Sequence, residues 1–460
     1  MNIRSINWGL ILTLSTFFVA CSPHGIGVKD HWKQDEENGN QLVERRIQGA
    51  SSTTVLLNAD VRTAAGDRFV PGYVVFSDRI EEVGAGAPAV SPEGAKQIDV
   101  MGAIVTPGLI DTHSHLGVYA RPSARSHSDG NEATSANTAG VWAEHSVWPQ
   151  DPGFQLALQG GVTTLHILPG SANLFGGRGV TMHVVPQLGS RAMRLPGAPS
   201  SLKMACGENP KRVYGKKSRS PSTRMGNLRG QRQGFLDAKK YMKEREGEKG
   251  DRLSVDLNKE TLVGVLRGEI LPQIHCYRAD DMLSMLQLSE EFGFKIRSFH
   301  HALEAYKIAD ILADKEVAVS TWADWWGFKM EANDAVMANG AMVHAAGGRT
   351  VIHSDSSVGI QRLNQEAAKA LREGKRAGLS VTEDDALKWI TLNPAWALGI
   401  EDQVGSIEVG KRADILVWNG DPLSVYSAPS QVFVDGVERW KMASPVDPWS
   451  DFSIGPEVSK

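Results

Sequence analysis

The chain has 460 residues, of which 41% are hydrophobic and 22% charged, with a net charge of −4. That balance is enough for a large core spread over roughly two to three domains. It excludes a chain built as a whole to wrap a polyanion.

The first element in chain order is a leader. In "MNIRSINWGLILTLSTFFVAC" a basic residue, Arg4, precedes an apolar run from Trp8 to Ala20 that is too short to span a bilayer. Residues 1–21 are expected to be a signal peptide. Their "FVAC" ending resembles a bacterial lipobox, which makes Cys21 the expected lipidation site and anchor to the membrane. Ser22 follows, a residue that accompanies outer-membrane sorting, so an exported lipoprotein of the cell envelope on the periplasmic side is expected. Residues 22–52, with "KQDEENGNQ", lack periodicity and read as a polar tether.

From Thr53 to about Ile110 short strands follow one another, as in "TTVLLNADV" and "YVVFSDRIEEVG". The same texture returns in "GSIEVGKRADILVW" and "QVFVDGVERW". Between them, strand-like runs such as "GGVTTLHIL", "LPQIHCY", "FKIRSFHH" and "RTVIHSD" alternate with helix-like stretches such as "ADDMLSMLQLSEEFG". About eight such alternations predict an α/β fold, a (β/α)8 TIM-like barrel. The expected division is 53–106 with 396–445 as a composite β-sandwich from both chain ends, and 107–395 as the barrel.

The stretch "PGLIDTHSHLG" places His113 and His115 two apart at the end of an apolar run. Residues i and i+2 of a strand share a face, so both imidazoles point at the C-terminal mouth, where barrels keep their chemistry. His275 in "QIHCYR", His300 and His301 in "SFHHALEAY", and Asp355 in "VIHSDSS" end later apolar runs. Imidazoles and a carboxylate converging from several strand ends suit a borderline metal such as zinc.

"GAIVTPGLIDTHSHLG", "GGVTT" and "LNPAWALGIEDQVGSIEVGKRADILVWNGDPL" together resemble the amidohydrolase superfamily, nearest its imidazolonepropionase-like branch. The resemblance runs from about Thr53 to the C-terminus. It implies a barrel holding one or two divalent metal ions, with zinc the expected ion, and hydrolysis of a C–N bond in an amide, dipeptide or cyclic amide. The implied ligands are His113, His115, His275, His301 and Asp355. Adjacent residues of a regular strand cannot both face inward, so only one of His300 and His301 fits, and the resemblance, in which the histidine stands just before an apolar pair and Glu as in "HALEAY", implies His301. In "SLKMACGEN" the fourth-strand ligand is either a carboxylated Lys203 or Glu208, with Glu208 favoured as nearer the loop. Asp355 is expected to be the proton shuttle, with His353 in an oxyanion or supporting role. Arg278 and Tyr214 are candidates for substrate contacts. The alternatives are a metal-dependent deaminase and a non-catalytic envelope binding protein on the same fold.

Three further stretches carry expectations. Residues 211–232 hold eight Lys or Arg and no acid, and read as a solvated or mobile loop beside the mouth rather than a nucleic-acid patch. "TWADWWGF" brings Trp322, Trp325 and Trp326 together, either lining a substrate pocket or packing between strand and helix. "LPGSANLFGGRG" lacks the Gly-Lys-Ser/Thr ending of a phosphate loop and reads as a mouth loop. No Gly-Xaa-Ser-Xaa-Gly elbow is present, which disfavours a serine hydrolase. Cys206 and Cys276 are either bridged or two buried thiols.

Overall fold

A computed structural model describes residues 52–247 and 252–442. The signal segment, Cys21 and all but the last residue of the tether lie outside these residues. Among the described residues the strands form two eight-stranded sheets. The first takes β1 (Thr54–Arg62), β2 (Arg68–Phe76), β3 (Ile80–Ala85), β4 (Lys96–Asp99) and β5 (Ile104–Pro107) from the N-terminal side. The second runs in strict sequence order through β6 (Leu109–Ser114), β7 (Val162–Ile167), β8 (Phe175–His183), β9 (Ser201–Ala205), β10 (Leu271–Cys276), β11 (Ser298–His301), β12 (Ala318–Thr321) and β13 (Thr350–Ile352). The chain then returns to the first sheet with β14 (Ile415–Trp418), β15 (Pro429–Val434) and β16 (Val437–Lys441), where β14 pairs antiparallel with β5. Trp418 Nε1 donates to Thr106 Oγ1 at 2.8 Å inside that seam.

The second sheet is the barrel. Seven of its strands run parallel, and β8 runs antiparallel to both β7 and β9. The end of the glycine-rich stretch expected as a loop, Phe175 to Gly179, lies instead in strand β8. Helices α1 (Pro152–Gln159), α2 (Glu208–Gly215), α3 (Arg224–Arg245), α4 (Leu257–Leu266) and α5 (Ala279–Phe292) follow or interrupt the early strands. The apolar faces of α3, α4 and α5 close one core with the outward side chains of the strands, including Met204, Phe235, Ile274, Met282 and Phe299, while Phe154, Ala157 and Leu158 of α1 pack into a second. Residues 211–232, expected as a loop, fall mostly in α2 and the start of α3, with Thr223 accepting from Gly226 N as the α3 cap. Three of their cations have partners close by. Lys217 donates to Ala133 O, Arg219 to Thr134 O, and Arg232 pairs with Glu291.

The inward side chains are polar and bonded to one another across the barrel. Thr112 donates to Ser320 Oγ at 3.1 Å, which lies 3.0 Å from Ser298 Oγ. Between β13 and β6 the wall is closed by the segment that carries the site. Asp355 N donates to His113 O at 3.0 Å, Ser354 N donates to Asp111 Oδ1 at 3.1 Å, and the Ser354 hydroxyl donates to the same carboxylate. Cys206 and Cys276 are joined in a disulfide with their Cα atoms 5.3 Å apart. It closes a loop 70 residues long, a constraint worth about 4 kcal/mol in the chain-entropy account.

Candidate metal centre

His113 lies at the end of β6 and His115 just beyond it, and both face Asp355. The Asp355 Oδ1 atom is 3.6 Å from His113 Nε2 and 3.2 Å from His115 Nε2. His115 Nδ1 donates to Leu168 O at 2.8 Å, which orients the ring with its Nε2 toward Asp355.

The tautomer of His113 follows from a longer chain. Gln273 Nε2 donates to Ala397 O at 2.9 Å, so Gln273 Oε1 is the acceptor for His300 Nε2 at 2.7 Å. His300 Nδ1 is then an acceptor, and His113 Nδ1–H donates to it at 2.9 Å. The lone pair of His113 Nε2 is left facing the cluster.

Strand parity does hold for His300, which points inward to His113. His301 escapes it. Its backbone lies in the left-handed region, with φ +70, and Ala302 follows at φ +39. This turn brings the His301 ring into the same cluster, 4.8 Å from the His113 ring and 4.7 Å from that of His275. Asp355 is likewise left-handed, with φ +48. Such strain persists only where the surroundings hold it, and it collects at functional sites.

His275 ends β10 with its Nδ1 buried and without a hydrogen-bond partner, as is His301 Nδ1. His353 is fully buried, its ring stacked 5.2 Å from that of His113. Burial, then the positive charge of neighbours, holds His113, His275, His300 and His301 well below the usual histidine range. Burial pushes His353 down to about 3. These rings are therefore neutral, and all but His300, whose two nitrogens are already bonded to His113 and Gln273, are able to ligate. For Asp355, burial would raise the carboxyl, but the hydrogen bond and charge of His115, with His353 and Lys203, hold it below the usual carboxylate range.

Two groups of side chains place their ligand atoms within 4.8 Å of one another. One is His113, His301 and His353, and the other is His113, His115 and Asp355. Neutral imidazoles, an ionised carboxylate and orphaned buried nitrogens are the donor set a divalent ion such as zinc takes up.

The fourth-strand expectation needs correction. Lys203, at the middle of β9 and 1% exposed, sits with its Nζ 3.2 Å from His113 Nε2. Gly207, two residues past that strand, caps α2 at φ +74, where a Cβ would meet the Glu331 carboxylate at 2.8 Å. The turn carries Glu208 away into α2, where it pairs with Lys329 at 3.4 Å. The signal for Lys203 was in the sequence. Leu202 and Met204 face the helices, so the residue between them faces the barrel axis. Two substrate-contact candidates also fail. Tyr214 is 0% exposed, and its hydroxyl is committed to Ser135 O and Asn173 Oδ1 in the core. Arg278 forks onto Asp280 at 2.7–2.8 Å, two residues along its own helix start.

The tryptophans stand at the mouth. Trp322 stacks on His301 with centroids 4.3 Å apart, and its Nε1 donates to Ser354 O at 3.0 Å. Trp325 stacks on Trp322 at 4.7 Å. Phe328 stands edge-on to Tyr277, Trp322 and Trp325, and Trp326 is exposed. An aromatic wall thus runs from a candidate ligand out toward solvent.

The solved amidohydrolase from Thermotoga maritima is 37% identical and superposes with a TM-score of 0.78, covering 84% of this chain and 100% of that one. The chain belongs to the amidohydrolase family. The family model itself matches residues 277–440 of this amidohydrolase. "Amidohydrolase tasK" of Hapsidospora irregularis is 33% identical over 443 residues, which is 87% of this chain, and the chain spans only 44% of that relative's length. An imidazolonepropionase of Shewanella baltica is 59% identical over a short stretch of 39 residues.

Proposed function

We propose that this amidohydrolase is a metal-dependent hydrolase of a C–N bond in a small amide, dipeptide or cyclic amide. The observation that carries this reading is the convergence of His113, His115, His301, His353 and Asp355 at the barrel mouth, with Lys203 against His113 Nε2. His113, His115 and Asp355 would hold one divalent ion and His301 with His275 a second, and Lys203, beside His113 Nε2, would contribute as a carbamate. A bound ion supplies a water acidified to a pKa of about 7 and a polarised carbonyl.

The chain's own groups do the rest. Asp355, kept ionised, accepts the proton of the attacking water at a carboxylate oxygen and returns it to the leaving nitrogen. His353 is neutral at working pH and faces the site as a donor for the developing oxyanion. The wall of Trp322, Trp325 and Phe328 excludes water and favours a ring-bearing or bulky apolar substrate.

The site of action is proposed to be the cell envelope. Residues 1–21 support this, as does the Cys206–Cys276 disulfide, since such bonds persist in oxidising compartments.

The test is metal analysis of the purified protein together with a panel of dipeptides, N-acyl amino acids, cyclic amides and aminopurines. One or two equivalents of divalent metal and cleavage of amides are expected. Ammonia release from aminopurines alone would replace the reading with deamination. A loaded protein that turns over no member would point to a binding protein.

A further inference from the structure

The disulfide lies directly behind three of the site's side chains. Cys276 follows His275 and is paired in register with His301, while Cys206 lies three residues beyond Lys203. The ladder between β9 and β10 ends at the Ala205–His275 pair. Past it, Cys206 N donates to His275 O at 2.9 Å, and Ala302 N donates to Cys276 O at 2.9 Å. The bond therefore ties together the backbone at β9's end, the carbonyl of His275 and the left-handed turn at His301–Ala302. Both sulfurs face the apolar layer with Ile274, Met282 and Phe299, and the two cysteines are 4% and 0% exposed. No reagent reaches them unless these strand ends open, and opening moves His275, His301 and Lys203.

Resting on the metal-centre reading above, we propose that the Cys206–Cys276 disulfide is a positioning element of that centre. It holds Lys203, His275 and His301 at one point, so that bound metal and intact disulfide stabilise each other. Reciprocity requires that the coupling be seen from both sides.

The experiment uses the whole purified chain and zinc alone. In the first arm, zinc affinity by competition with a chelating dye is compared between the oxidised protein and the Cys206→Ala/Cys276→Ala variant, with circular dichroism as the check on folding. Alanine leaves no buried hydroxyl unsatisfied. The variant is expected to fold and to bind zinc about 10–100-fold more weakly, the range for lost support behind ligands. In the second arm, the unaltered protein is treated with a water-soluble phosphine. Phosphorus is oxidised by two electrons and takes an oxygen from water, and the disulfide becomes two thiols, counted with a thiol-reactive dye. Zinc-loaded protein should release these thiols at least about tenfold more slowly than metal-free protein, the low end of the same range.

Equal zinc affinity in a folded variant, or equal thiol release with and without zinc, overturns the proposal. Should the variant not fold, the second arm decides alone. A protein that binds no zinc in either state overturns the metal-centre reading itself, an outcome distinct from tight binding that ignores the disulfide.

Discussion

His300 Nδ1 lies 2.9 Å from His113 Nδ1, and this contact fixes which nitrogen of His113 faces the cluster. His300 is itself held by Gln273, whose amide is set by the Ala397 carbonyl. The alignment of one candidate ligand thus traces back through two side chains to the helix Leu392–Leu398. His300 is a positioning residue. His300→Leu leaves His113 Nδ1 and Gln273 Oε1 buried and unpaired, at about 1–3 kcal/mol each. Metal affinity should fall about 10–100-fold, read by metal titration, with stability read by urea melts. His300→Gln, which keeps an amide in place, should recover part of both. Full metal affinity in His300→Leu would show that the ring does not set the tautomer.

Burial pushes the Lys203 ammonium from its ordinary 10.5 down to about 7. The free amine, the form that adds carbon dioxide and sheds a proton, therefore grows as pH rises through about 7. Zinc loading of metal-free protein should need bicarbonate and improve from pH 6 to about 8. The sign for stability follows the same way. The unfolded chain holds this proton up to about 10.5 and the folded chain does not, so metal-free protein gains stability from Lys203 as pH rises above about 7. Lys203→Ala should lose the bicarbonate dependence and one equivalent of metal. Glu208→Gln should keep both, and metal loss in that variant would return Glu208 to the centre.

Asp355→Asn keeps the side chain's shape and removes its base. Turnover should drop about 10²–10⁴-fold, the usual weight of general acid–base work. The melting temperature should move little, because the Asp355 N to His113 O contact is backbone only. Near-normal rates at full metal occupancy would show that another group carries the proton.

Cys21→Ser should release the protein from the membrane fraction or leave it with its leader uncleaved. The motive is the "FVAC" ending and the polar stretch after it. Unaltered fractionation of this variant would count against lipid anchoring.

The local pattern was enough to read the barrel and its rim. Apolar runs ending in His113, His115, His275, His301 and Asp355 recur at strand ends, and side-chain parity puts His113 and His115 on one face at the mouth. Parity alone puts Lys203 and Glu208 on opposite faces without choosing between them, and it is the burial of Leu202 and Met204 against the helices that turns Lys203 to the barrel axis. What parity could not supply was decided by the tertiary structure wherever the backbone leaves regular geometry or a partner is distant. His301 and Asp355 enter the site through left-handed turns that only the packed surroundings sustain. Tyr214 vanished into the core because Ser135 and Asn173, remote in sequence, claimed its hydroxyl. Cys206 and Cys276 are 70 residues apart, and only the neighbouring places of β9 and β10 in the barrel bring their Cα atoms to 5.3 Å. Periodicity is local and survives in one dimension; tautomers, strained turns and cross-links depend on which strands become neighbours.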